Sequence, residues 1–151
     1  MKLWRKIMTY RIFLDTNILA DHLLDRNSYS SNIINLVESG QLIGYASSAS
    51  FFTLAYIIED RLKLKSQPIL QKINQFINII PTGQNVLDHS YASGFHDMED
   101  AFQYFTALSE TSLDFFITNN VRDYKLALSK LPVLSAKDYI ITIFKDLWDI
   151  R

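Results

Sequence analysis

Three acidic clusters stand where helices are expected to begin. Asp15 closes the apolar run Arg11-Ile12-Phe13-Leu14 and is followed at once by Thr16 and Asn17. Asp97, Glu99 and Asp100 open the helical stretch "HDMEDAFQYF". Asp123 lies in "FFITNNVRDYK", where the apolar run Phe115–Ile117 ends in Thr118, Asn119 and Asn120. Carboxylates brought together repel one another, and some must then take up protons. A hard divalent cation relieves that repulsion. Mg²⁺ accepts carboxylate and water oxygens in an octahedron and usually retains several waters. Held by such acids, it activates a water and clamps a phosphate oxygen, which is the chemistry of phosphodiester hydrolysis.

Each cluster also has a capping explanation. Asp15 suits the N-cap of the helix that follows. Asp97 with Asp100 three residues on resembles a capping box with Asp in place of Glu, and acids suit the positive end of a helix dipole. Asn120 with Asp123 makes a similar pair. Taken singly, capping is the better account of each. On a helical wheel Asp97, Asp100 and Tyr104 share one flank of the stripe Ala101, Phe105 and Leu108, whereas Glu99 points towards solvent. Two of the clusters follow apolar strands, and adjacent strands would bring Asp15, Asp100 and Asp123 to one place.

The elements that must position these acids alternate. Strands are expected at Arg11–Leu14, Ile43–Ala46, Ile77–Ile80, Phe115–Thr118 and Val133–Leu134. Helices are expected at Asn17–Leu24, Ser30–Ser39 (ending at Gly40), Ser48–Leu64, Pro68–Phe76, Asn85–Ala92, Met98–Thr111, Val121–Ser129 and Ala136–Trp148. Such alternation gives a parallel sheet covered on both faces. In those sheets chemistry collects at the carboxyl ends of the strands, where strand order reverses.

The bulk properties narrow the function. The chain has 151 residues, nearly half of them apolar, enough for one domain with a core of its own. Residues 1–9 read as an N-terminal extension and residues 10–151 as the domain. The absence of cysteine excludes disulfides, thiolate metal sites and cysteine nucleophiles, and suits a cytoplasmic setting. A net charge of −1 leaves any contact with nucleic acid to local basic groups. Arg122 and Lys125, flanking Asp123, are the best placed. No apolar run approaches a membrane span. The three histidines lack ligand spacing and are assigned no metal.

The segments "FLDTNILADHLLDR", "DMEDAFQYFTAL" and "ITNNVRDYK" resemble the three signature blocks of PIN domains, in order, over about Tyr10 to Tyr139, and are closest to the VapC-type bacterial toxins. The resemblance implies a three-layer α/β/α sandwich around a parallel sheet of four to five strands, with the first and fourth strands adjacent. It implies a ribonuclease dependent on Mg²⁺ or Mn²⁺, acting as the toxin of a toxin–antitoxin pair. Carried over residue by residue, Asp15, Asp100 and Asp123 match the metal-binding, catalytic acids, and Asp97 an outer metal partner. Asn17, Thr118 and Asn120 match supporting polar residues.

One block departs from the pattern. Such families carry a further acid, most often Glu, early in the helix after the second strand, where this chain reads "SSASFFTLAYII". Glu59 and Asp60 lie roughly 15 Å along that helix at about 1.5 Å per residue, and Asp21 is the nearer substitute. A second reading follows: a catalytically weakened PIN-fold module that binds RNA or protein. A third, a phosphatase using Asp15 as nucleophile, wants an acid where Asn17 stands. The apolar helix "SASFFTLAYII" suits a buried position, or partial cover by an antitoxin or by a second copy of the chain in a homodimer.

Overall fold

The computed structural model describes residues 9–128 and 130–144. Most of the expected N-terminal extension, and the end of the last expected helix up to Trp148, lie outside these residues. The chain runs β1 (Arg11–Leu14), α1 (Thr16–Leu23), α2 (Ser28–Glu38), β2 (Ile43–Ser47), α3 (Ser48–Arg61), α4 (Ser66–Asn74) and β3 (Ile77–Ile80). It continues with α5 (Gln84–Tyr91), α6 (Met98–Leu108), β4 (Phe115–Ile117), β5 (Val133–Leu134) and α7 (Ala136–Asp138). The strands form one parallel sheet in the order β3-β2-β1-β4-β5.

Period-two alternation splits the sheet residues between two cores. Ile12, Leu14, Ala46 and Ile117 join one apolar cluster with Ile18 and Leu19 of α1, Ile33 and Val37 of α2, and Leu54 of α3. Phe13, Tyr45 and Phe116 join the other with Ala101, Tyr104 and Ala107 of α6. The result is the three-layer sandwich that βα alternation requires. The register sets Leu14 beside Ile117, so β1 and β4 end level with one another. Strand order reverses between these two strands, which makes their carboxyl ends the natural crevice.

Two glycines fix how α2 returns to the sheet. Gly40, at φ +82°, ends α2 in a Schellman turn. Its N–H donates to Val37 O and the Gln41 N–H to Leu36 O. A Cβ on Gly44 of β2 would lie 2.7 Å from Val37 Cγ1, so glycine there lets α2 pack directly on the strand.

The expected helix over Val121–Ser129 forms only a single 3₁₀ turn, Val121–Tyr124. The buried Tyr104 hydroxyl explains the difference. It accepts the Leu128 N–H at 2.8 Å and reaches the Leu128 and Leu131 carbonyls, each at 3.1 Å. These bonds replace those an α-helix would have made, and Ser129 itself lies outside the described residues. The last helix begins at Ala136, as its N-cap Ser135 dictates, and widens into π-helical turns over Tyr139–Phe144.

Candidate metal centre

Asp15 is the N-cap of α1, and its Oδ1 accepts the Thr16 N–H at 2.7 Å. Capping occupies one carboxylate oxygen only. Oδ2 accepts the Thr118 hydroxyl at 2.8 Å, the Tyr124 hydroxyl at 2.9 Å and the Asn17 amide at 3.3 Å. The side chain is 3% exposed. Thr118 follows β4, so the strand adjacency delivers its hydroxyl to the acid at the tip of β1. Asn17 ties the two strand ends together: its amide also donates to Thr118 Oγ1 at 3.1 Å, and its Oδ1 accepts the Asn119 N–H at 3.1 Å.

Asp100 sits in the first turn of α6, which is capped by Asp97 through the Asp100 N–H. Asp97 gives one carboxylate oxygen to the cap, while the Asp100 carboxyl lies against the Tyr124 hydroxyl. Tyr124 joins the two acids, its hydroxyl lying 3.3 Å from Asp100 Oδ1 as well as against Asp15. The pocket therefore unites β1, β4, α6 and the 3₁₀ turn.

Electrostatics register the crowding. Burial first, then the charges of Asp97 and Asp15, pushes Asp100 up to about 7, with a smaller push from Asp123. Burial also raises Asp15, against the donors on it. Four donors favour its ionised form, so a proton in this pair belongs on Asp100, which faces one hydroxyl. Glu99 is exposed, as expected, though partial desolvation and the charges of Asp15 and Asp97 still raise its pKa. Asp123 is exposed at the rim, and Arg122 and Lys125 are exposed on either side of it.

Asn120 provides no side-chain cap, and its N–H donates to Thr118 Oγ1 at 3.1 Å. Its neighbour Asn119 is the anchored residue, donating to Asp21 Oδ2 at 2.7 Å and Ser30 Oγ at 3.0 Å. Asp21 also pairs with Arg26 at 2.8 Å, so both of its carboxylate oxygens are already engaged. Glu59 accepts from Ser66, at the far end of α3. Neither supplies the absent helix acid. Near the start of α3 lies a neutral buried network instead. Ser50 Oγ is 2.6 Å from Thr16 Oγ1, and the Gln103 amide donates to Ser47 Oγ at 2.9 Å and to Ser50 Oγ at 3.2 Å.

The sequence reading missed Tyr124 and this network. An aromatic residue after an acid reads as core, and serines before an apolar helix read as caps. Ser47 is indeed such a cap.

The donors around the pocket are hard oxygens, which suit Mg²⁺ or Mn²⁺. Among the described residues no three acids or histidines close a cage by themselves. Mg²⁺ is commonly held by one or two carboxylates with water completing the shell, so Asp15 and Asp100 fit that role. Among the described residues no helix is long and apolar enough to cross a membrane.

Comparison with known proteins accords with this architecture. A family model described as PIN domain matches residues 11–122. Among curated proteins none matches significantly. Among solved structures, a chain of VapBC2 from Rickettsia felis, bound to a promoter DNA fragment, is 16% identical with a TM-score of 0.63, covering 83% of this chain and 98% of its own. A toxin–antitoxin complex from Klebsiella pneumoniae gives 20% identity and a TM-score of 0.63, covering 83% and 97%. DNA-bound VapBC from Salmonella typhimurium gives 15% and 0.59, covering 85% and 99%. At these identities the likeness is one of fold.

Proposed function

Because this chain belongs to the PIN domain family, we propose that it is a metal-dependent endoribonuclease, the toxin of a toxin–antitoxin pair acting in the cytoplasm. The observation that carries this reading is the convergence of Asp15 and Asp100 on one hydroxyl at the carboxyl ends of β1 and β4. Asp15 and Asp100 would hold Mg²⁺ or Mn²⁺, with Asp97 and Asp123 adding negative charge from the rim. Held there, the ion would supply an activated water and a grip on a phosphate oxygen. Water adds to phosphorus as the 3′ oxygen leaves, giving a 5′-phosphate and a 3′-hydroxyl.

The chain's own residues do the positioning. Thr118, Asn17 and the Thr16 N–H fix the orientation of the Asp15 carboxylate. Arg122 and Lys125, both exposed beside the rim, are suited to the RNA backbone. In a Mn²⁺-supplemented cleavage assay, Asp15→Asn is expected to lower the rate at least about a hundredfold, the scale on which a catalytic electrostatic group acts. Cleavage by this variant equal to wild type would refute the proposal.

A second reading rests on the neutral network of Ser47, Ser50, Gln103 and Thr16. A module lacking the helix acid would bind RNA or protein without cutting. RNA retention with no Mn²⁺-dependent cleavage by the wild type would favour it.

Partner binding has its own support. Phe52 and Tyr56, one turn apart on α3, are 79% and 68% exposed. The antitoxin of the pair, or a second copy of the chain, would cover them.

A further inference from the structure

We infer that the Tyr124 hydroxyl occupies the seat between Asp15 and Asp100 and competes with the cation for it, so that Tyr124 sets the metal affinity of the site. The inference rests on the metal-dependent reading above and concerns how that site opens. A carboxylate offers roughly four acceptor positions. On Asp15 they are filled unevenly: Oδ1 accepts only the Thr16 N–H, whereas Oδ2 already carries three donors, the Thr118 and Tyr124 hydroxyls and the Asn17 amide. A cation bridging to Asp100 through Oδ2 must displace one of these three.

Three of the donors are held independently of the carboxylate oxygen they touch. The Thr16 N–H belongs to the capped first turn of α1. Thr118 Oγ1 also accepts from the Asn17 amide and the Asn120 N–H at the end of β4. Asn17 is held from the other side by the Asn119 N–H. The Tyr124 hydroxyl differs, because its hydrogen-bond partners are the two acids themselves. A cation that takes those oxygens removes both partners at once. Tyr124 also rides on the 3₁₀ turn, whose other residues, Val121, Arg122 and Asp123, are exposed. Its ring packs on Phe116 at 4.8 Å between centroids and on Phe95 at 6.0 Å. Phenylalanine can keep those ring contacts, which makes Tyr124→Phe a selective variant.

The test is a Mn²⁺ titration of the full chain by calorimetry, in wild type, Tyr124→Phe and Asp15→Asn, with circular dichroism to establish folding. Tyr124→Phe is expected to bind Mn²⁺ roughly tenfold more tightly, on the scale of one hydrogen bond to a charged group, and Asp15→Asn to lose binding. A residue that merely supported the fold would not give a gain in affinity on removal of its hydroxyl. Equal or weaker binding by folded Tyr124→Phe, with wild type still binding through Asp15, overturns the competition and leaves the metal site standing. No Mn²⁺ binding by either wild type or Tyr124→Phe overturns both. An unfolded Tyr124→Phe would show that the hydroxyl is needed for folding, and would also overturn the inference.

Discussion

Asp100 is the residue whose chemistry changes most within the working pH range. Its ordinary value of 3.8 is pushed up to about 7, chiefly by burial and then by Asp97 and Asp15. The folded chain therefore keeps a proton that the unfolded chain gives up. Between those two values the Asp100 contribution to stability falls as pH rises, and below them it is present in full. The metal-free protein is expected to melt at progressively lower temperature as pH is raised through that window. Asp100→Asn is expected to flatten the slope. If Asp100 is a ligand as proposed, Mn²⁺ has the opposite dependence, because it needs the ionised acid: its affinity should rise with pH and level off above about 7. Calorimetric melts and Mn²⁺ titrations across that range check both signs. A pH-independent Mn²⁺ affinity would remove Asp100 from the ligand set.

Asp15 stood out in the sequence because an apolar strand ending in polar residues is unusual enough to notice, whereas Asp100 stood out only through a helix start that capping also explains. Tyr124 was not. Its burial and ring contacts match those of a core residue, and only the tertiary fold turns its hydroxyl towards Asp15. The choice between Asn119 and Asn120 was equally closed to sequence reading. Both follow β4, and which of them is anchored depends on Asp21 and Ser30, far away in the chain.

At the scale of elements, local pattern and long-range contact divide the outcome. All five strands fall within a residue of their expected bounds, since apolar β-branched runs bounded by polar residues carry their own boundaries. The segment after β4 behaves otherwise. Its apolar spacing suits a helix, yet Leu126 and Leu128 are 53% and 47% exposed, and the Tyr104 hydroxyl bonds to the backbone where helix bonds would run. Tyr104→Phe is expected to cost about 1–3 kcal/mol, the scale of a buried donor left unmet. Hydrogen exchange should quicken over residues 125–131, next to the pocket. Unchanged protection there would mean that the turn is fixed by something other than this hydroxyl.

At the scale of the whole molecule, the sheet order puts β1 beside β4 and so assembles a site from residues distant in the chain. The outer face of α3 points the opposite way in character: Phe52 and Tyr56 offer apolar surface, while Leu54 and Ile58 are fully buried. Replacing Phe52 and Tyr56 together by Ser is expected to leave the melting temperature nearly unchanged and to abolish the proposed assembly with an antitoxin or with a second copy. Light scattering on the chain alone and with a candidate antitoxin reads this directly. An unaltered assembly would assign the interface elsewhere.

Two acids from separate parts of the fold are proposed to share one divalent cation. Crystals soaked in Mn²⁺ and measured for anomalous scattering would locate it. The expected map has a peak bonded to Asp15 and Asp100, with the Tyr124 hydroxyl moved off Asp15. A map without a peak there, and with that hydroxyl still seated between the two carboxylates at saturating Mn²⁺, would contradict that sharing.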